Sequence, residues 1–331
     1  MAIIAQTAFT MQELATRLDP NGKIAVVTEM LKETNEILED MMWREGNLPT
    51  GHKTTIRTGL PSVYWRMLNQ GVPPSKSATA QITDTCGMLE AYGQVDKKLA
   101  DLNGNTAEFR LSENRPFLEA MNQELSQTLF YGDDKASPAK FLGLSTRYNT
   151  LDKTKAASAE NVLDGGGQGS TNTSIWLVVW GDQTAHGIYP KSSKVGFQHE
   201  DLGEVTLTDS NNGMYQGYRD HYVWDCGLTV RDWRYIVRIS NIDVTELGTA
   251  NAANLIDLMS EATELVPTLT LGKAAFYCNK KIRTALRKQI RDKENVNLTL
   301  DTYAGKRVLG FDGIPVRRCD MIKTKEARIR A

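Results

Sequence analysis

Apolar positions along the chain change their period several times, and each change predicts an element. Ile24, Val27, Met30, Leu31, Ile37, Leu38 and Met41 recur near helical spacing behind Asp19-Pro20, an N-cap followed by a first-turn proline. This predicts a long amphipathic helix over residues 20–42. Residues 46–112 read differently, because HKTTIRT and ATAQITDTCGMLEAYGQV are rich in threonine and β-branched residues and the link between them holds Pro61, Gly71, Pro73 and Pro74. That is a long two-stranded excursion. A hairpin with so little core of its own is marginal alone, so it is expected to lie against something else, such as a neighbouring subunit.

Ser112 is placed to cap a second helix to about Tyr131, with Phe117, Leu118, Met121, Leu125 and Leu129 along one stripe. From Phe141 to Asp243 the pattern is mostly β, with IWLVVW, EVTLT, LTVRDW and RYIVRIS as candidate strands. A helix follows from about Ala250 to Leu265, stopping before Pro267, and then LGKAAFYC reads as a strand. Asn279 can cap a helix to about Arg291. The last element is a hairpin whose Asp312-Gly313 suits a type I′ turn and whose Pro315 favours an edge strand. Long helices and hairpins without regular strand–helix alternation make a mixed α+β chain, not a doubly wound parallel sheet.

Asn161 to Pro190 joins the most permissive stretch to one of the most apolar. Gly165, Gly166, Gly167 and Gly169 invite a phosphate-loop reading, but such loops follow a strand and open a helix, whereas this one precedes a strand. A mobile surface arm is the expectation. Aromatic residues concentrate just after it. Trp176, Trp180, Trp224 and Trp233, together with Trp65 in the hairpin, suit either a β-rich core or a subunit interface.

Composition changes the picture in one respect. Lys+Arg 39 against Asp+Glu 40 leaves a formal charge of -1, but residues 273–331 hold sixteen basic and six acidic residues, +10, which leaves -11 for the rest. On the helix after Asn279, Lys280, Arg283, Arg287 and Arg291 share one face and Ile282, Leu286 and Ile290 another. A basic face over an apolar seam suits sequence-independent contact with DNA phosphates, or simple solvation. A small-oligomer nucleic-acid-binding protein is therefore one functional reading. Catalysis finds less support: His52, His186, His199 and His221 lack HExxH spacing, Cys86, Cys226, Cys278 and Cys319 form no CxxC, and GxSxG and GxxxxGK[ST] are absent. No metal site, cofactor or disulfide is expected. Nothing resembles a signal peptide or a membrane span, so a soluble, unexported chain is expected.

Three blocks together resemble a known family: WREGNLPTGHKTTIRTGLPSVYWRMLNQGVPPSKS; FLGLSTRYNT with NVLDGGGQGSTNTSIWLVVWGDQTAHGIYPK; and YCNKKIRTALRKQI with GFDGIPVRRCD. They look like the major capsid proteins of tailed bacteriophages, in the short-tailed group of the Bordetella phage and epsilon15. The resemblance implies the Hong Kong 97-type capsid fold, with a peripheral domain, an axial domain, an E-loop hairpin and an N-terminal arm. It implies residues 1–45 as N-terminal arm and helix, 46–112 as E-loop region, and 113–150 as spine helix and peripheral domain. Residues 151–265 would be mostly axial and β-rich, and 266–331 a returning segment with the basic helix and the C-terminal hairpin. The implied function is structural: a virion subunit, assembled in the host cytoplasm, forming pentamers and hexamers of an icosahedral shell around double-stranded DNA. Scaffolding, portal and cementing proteins are the implied partners. The hairpin begins too early to leave room for a cleaved N-terminal scaffolding domain, and no Lys–Asn cross-link is expected.

Overall fold

A computed structural model describes residues 35–101, 106–209, 211–249, 252–289, 298–303 and 306–330. Contacts divide the chain into two units. Among the described residues, one holds residues 88–125 and 196–225, and the larger holds 35–87, 126–195 and 226–330.

The larger unit is built around β5 (Asn172–Trp180), which is buried at every position. A strand buried on both faces needs a continuous apolar run, and IWLVVW is one. It pairs antiparallel with β9 (Ile236–Asp243) on one side and β10 (Lys273–Cys278) on the other. β4 (Val162–Asp164) extends the sheet parallel to β9, and β13 (Ile314–Arg318) extends it parallel to β10. β12 (Lys306–Phe311) pairs with β13 and β11 (Leu298–Tyr303) with β12. Alternation along β5 sorts its side chains. Ile175, Leu177 and Val179 join a cluster with Val237, Ile239, Phe276 and Val316, capped by α5 (Leu255–Leu265) and α6 (Lys280–Gln289). Trp176 and Trp180 face the other way, where Trp176 meets Phe130 and Tyr148 and Trp180 donates its indole N–H to the Tyr277 hydroxyl at 2.8 Å. Both tryptophans are core residues.

β6 (Ala185–Tyr189) pairs with β1 (Trp43–Glu45) and with β8 (Met214–Val230). The sheet order then runs to β3 (Ala78–Asp96) and β2 (Gly51–Gly59). The smaller unit contains the far half of β3, α2 (Lys97–Asp101), most of α3 (Thr106–Tyr131), β7 (Gln198–Thr208) and the first part of β8. Among the described residues, one apolar cluster of this unit is Val95, Leu99, Ala100 and Phe109 with Tyr218 packed against it. Polar contacts add to it: Asp220 is buried and receives Arg110 at 2.9 Å, Asn114 at 3.0 Å and the His199 ring at 2.9 Å, while Tyr222 stacks between Phe117, Phe197 and His199.

Several elements depart from the sequence pattern. The predicted 20–42 helix lies mostly outside the described residues; its end is a single turn, α1 (Ile37–Asp40), followed by β1. α3 starts at Thr106, ahead of Ser112, and runs through Pro116, because the extra turn buries Phe109 in the small core. β8 ends at Val230, so Trp233 sits in a short 3-10 turn beyond it. α5 starts at Leu255, where Asn254 caps it by accepting from the Asp257 N–H. Asp312 and Gly313 both have positive φ, as a type I′ turn requires. β13 is not an edge strand: it lies between β12 and β10. Pro315 is tolerated because its register partner is Gly310 and the pairing with β10 begins only at Val316.

The glycine arm is also reassigned. The Gly165 N–H donates to the Ser240 carbonyl at 2.8 Å and the Gly167 N–H to the Asn241 carbonyl at 2.7 Å, while Asn172 donates to the Gly169 carbonyl at 2.9 Å. It is a segment pinned along β9. A Cβ on Gly167 would lie 2.5 Å from Asn172 Oδ1 and 2.6 Å from the Asn241 carbonyl, so close packing explains this glycine. We predict that Gly167→Ala lowers stability by about 2 kcal/mol, the usual scale of overpacking. Gly166→Ala, at φ +84 with open space around it, costs only about 1 kcal/mol of left-handed strain. Thermal unfolding of the unassembled chain ranks the two.

Candidate functional site: the hairpin arm, its root and the basic helix

The hairpin forms from strands rich in threonine and β-branched residues, β2 and β3, which pair from Gly51↔Thr85 to Arg57↔Thr79 with a bulge before Gly59↔Ala78. Beyond the last pair the chain leaves its own unit uncovered. Leu60, Val63, Trp65 and Leu68 are 84%, 89%, 104% and 88% exposed, and Tyr64, Met67 and Val72 are exposed too. A stable monomer rarely shows so much contiguous apolar surface, and such patches mark interaction sites. The arm is also cationic: Lys53, Arg57, Arg66 and Lys76 lie between residues 46 and 83, where no Asp or Glu occurs.

Its root is held tightly. A Cβ at Gly51 would fall 2.0 Å from the Asp84 carbonyl oxygen, so the two strands meet at a distance only glycine permits. Buried Asp84 accepts from Arg147 at 2.7 Å, and Arg147 also donates to the Leu228 carbonyl at 3.2 Å. Asn47 brackets Lys53, donating to its carbonyl and accepting from its N–H, both at 2.7 Å. Beneath the arm, His52 of β2 and His186 of β6 meet edge to face with ring centroids 6.0 Å apart. Burial, reinforced by the nearby Arg231 charge, pushes both imidazoles down, His186 to about 4.

Two buried ionic groups fix the frame that carries the arm. Arg238 of β9 donates to Glu326 at 2.9 Å, and Ser174 and Tyr131 donate to the same carboxylate. The guanidinium lies 4.9 Å from the Trp176 ring centroid. This ties the C-terminal tail beneath β5. Asp40 accepts from Tyr277 at 3.0 Å and pairs with Lys273 at 2.5 Å and Arg317 at 3.1 Å, fastening α1 to β10 and β13. Burial pushes the Cys278 and Cys319 thiols up to about 12, so neither ionises near neutral pH.

α6 folds as its periodicity requires, with Ile282 and Leu286 buried in the seam. Lys280 and Arg287 are exposed on the far side. Arg283 does not share that face: it flanks the seam, 3.6 Å from Glu36 and with its side chain only 17% exposed. Arg291 lies outside the described residues. Lys281 and Lys288 are exposed instead, so the outward cations are Lys280, Lys281, Arg287 and Lys288.

Comparison with known proteins shows which family the chain belongs to. The family model described as major capsid protein GP7 matches residues 19–330. The chain belongs to that major capsid protein family. It is 40% identical to a chain in the solved structure of bacteriophage epsilon15, with 99% of each chain covered and a TM-score of 0.78. More distant similarities include the capsid of bacteriophage JBD30, at 9% identity, 90% and 100% coverage and TM-score 0.49, and the Synechococcus elongatus encapsulin complex, at 11% identity, 72% and 98% coverage and TM-score 0.44; neither carries argument. No curated protein matches.

As a member of this family the chain is a structural capsid subunit, a component of a virion, with the α+β Hong Kong 97-type fold expected from its sequence. The small-oligomer nucleic-acid-binding alternative finds no support. Of the aromatic anchors, Trp176 and Trp180 are core, Trp224 and Trp233 are half-buried, and Trp65 stands in solvent. Sequence reading missed Arg238, Glu326, Asp40 and Arg147, since charged residues far apart in the chain give no local sign of burial.

The unfolded chain takes up a proton on His186 near 6.5, whereas the folded chain resists until about 4. Stability from this group is therefore complete above 6.5 and is lost as pH falls towards 4, by up to about 3 kcal/mol. Urea unfolding at pH 7, 5 and 4 should show a steeper decline for the unaltered chain than for His186→Gln. Glu326→Ala leaves Arg238 buried without its carboxylate and should cost about 3–5 kcal/mol in the same assay.

Proposed function

We propose that this capsid subunit closes into pentamers and hexamers that join as an icosahedral shell around double-stranded DNA. The observation that carries the reading is the hairpin arm, whose apolar, cationic tip is uncovered by its own unit while its root is fixed by Gly51, Asp84 and Arg147. An arm rigid at the base and apolar at the tip suits docking on a second subunit, where buried aromatic surface supplies much of the affinity. Closed rings need heterologous contacts, one patch meeting a different patch on the next copy, and an arm reaching away from its own unit provides one.

In this reading residues 1–45 are an N-terminal arm and helix, and 46–112 contain the E-loop. Residues 113–150 form the spine helix and peripheral domain, 151–265 most of the axial domain with the pinned glycine segment, and 266–331 the returning segment. Assembly takes place in the host cytoplasm, with scaffolding, portal and cementing proteins as partners. DNA is enclosed without sequence preference; on α6 Lys280 and Arg287 are exposed while Arg283 turns to Glu36, and no residue is assigned to DNA contact. The role is mechanical, and no catalytic or cofactor site is assigned.

Replacing residues 60–77 by a two-residue turn removes the tip and leaves the register of β2 and β3 intact. The truncated subunit should unfold at nearly the same temperature as the full chain and form no shells by negative-stain imaging. Shells of normal yield from it would remove the main support for the proposal.

A further inference from the structure

α5 and α6 both press an apolar seam into the same buried cluster, and each turns a face of one charge outward. On α5 the exposed positions opposite Leu255, Met259 and Ala262 are Asp257, Glu261 and Glu264, and the helix has no basic residue. On α6 the exposed positions opposite Ile282 and Leu286 are Lys280, Lys281, Thr284, Arg287 and Lys288, and the helix has no acidic residue.

Asp257 in the first turn of α5 and Arg287 and Lys288 in the last turn of α6 suit the helix dipole, but the other outward charges are placed against it. Glu261 and Glu264 lie towards the C-terminus of α5, where the helix dipole disfavours anions, and Lys280 and Lys281 open α6, where it disfavours cations. Asp257 and Glu261, four apart on one face, also repel each other. Locally unfavourable choices repeated on two helices point to a compensating partner outside the subunit.

Topology separates the two faces. α5 packs on β9 and α6 on β13, and the strands run in the order β9, β5, β10, β13. At about 4.8 Å per strand the helices cover opposite sides of one sheet face, roughly 14 Å apart. A surface acidic on one side and basic on the other is complementary to a second copy of itself, and in a head-to-tail ring the acidic side of each copy meets the basic side of the next.

We propose that the acidic face of α5 on one subunit meets the basic face of α6 on its neighbour within a ring. The inference rests on the shell-subunit reading above and adds the pair of surfaces that closes the ring. DNA phosphates are the other candidate occupant of the α6 face. They are disfavoured because a polyanion spread over this sheet face also meets Asp257, Glu261 and Glu264. Charge complementarity of this kind sets partner and orientation as well as affinity.

The test is reversal and rescue. All six altered side chains are exposed, so Asp257→Lys, Glu261→Lys and Glu264→Lys together should leave the subunit folded by circular dichroism, as should Lys281→Glu, Arg287→Glu and Lys288→Glu together. Each triple variant should lower shell yield at least about tenfold in sizing and negative stain. The six-fold variant, with both faces reversed, should recover most of that yield. A six-fold variant no better than either triple overturns the pairing. So does an α6 triple variant that forms normal shells with less DNA inside, which gives the face to DNA. An unaltered chain that stays monomeric overturns both this interface and the shell reading beneath it.

Discussion

A strand that is buried along its whole length sets the terms for the rest of the larger unit. β5 offers Ile175, Leu177 and Val179 to one side and Trp176, Val178 and Trp180 to the other, and both sides must be covered before any of it is stable. One cover is apolar, made by α5 and α6. The other mixes aromatic packing with buried charge, because Arg238 is stacked on Trp176 and neutralised by Glu326 of the C-terminal tail. The last residues of the chain thus close the core begun by its middle. Buried pairs of this kind seldom add stability over an apolar replacement, but losing one partner is costly, so the tail cannot leave without exposing the frame.

That frame turns an otherwise marginal hairpin into a directed arm. Arg147, reaching Asp84 at the hairpin base and the carbonyl of Leu228 in β8, links the root to the sheet. Gly51 brings β2 and β3 together more closely than any side chain would allow. Rigidity at the root matters for assembly, since an arm already ordered loses less conformational entropy when its tip docks. If the proposed docking holds, the apolar residues from Leu60 to Val72 are surface only in the isolated subunit.

Local pattern revealed what local forces decide. The threonine-rich, β-branched segments of the hairpin, the apolar run of β5, the amphipathic seams of α5 and α6 and the Asp312-Gly313 turn were all readable, because each depends on neighbours in sequence. Pro315 misled because its effect depends on where pairing with β10 begins. The glycine arm looked mobile because glycine signals both freedom and tight approach, and only the position of Asn241 and Asn172 around Gly167 distinguishes them. Arg283 matched the basic stripe by spacing, but Glu36, distant in sequence, takes it. The Arg238–Glu326 pair, 88 residues apart, left no trace at all. The functional class was legible mainly through family resemblance, which physical pattern alone had narrowed only to a mixed fold with a hairpin needing a partner.

The central claim is that the hairpin tip is an inter-subunit surface. Electron cryo-microscopy of assembled particles, at a resolution that places side chains, tests it most directly through Trp65. The account predicts that Trp65, fully exposed in the isolated subunit, is buried against another copy of the chain in the shell. A shell in which Trp65 remains in solvent, or touches only its own subunit, would contradict it.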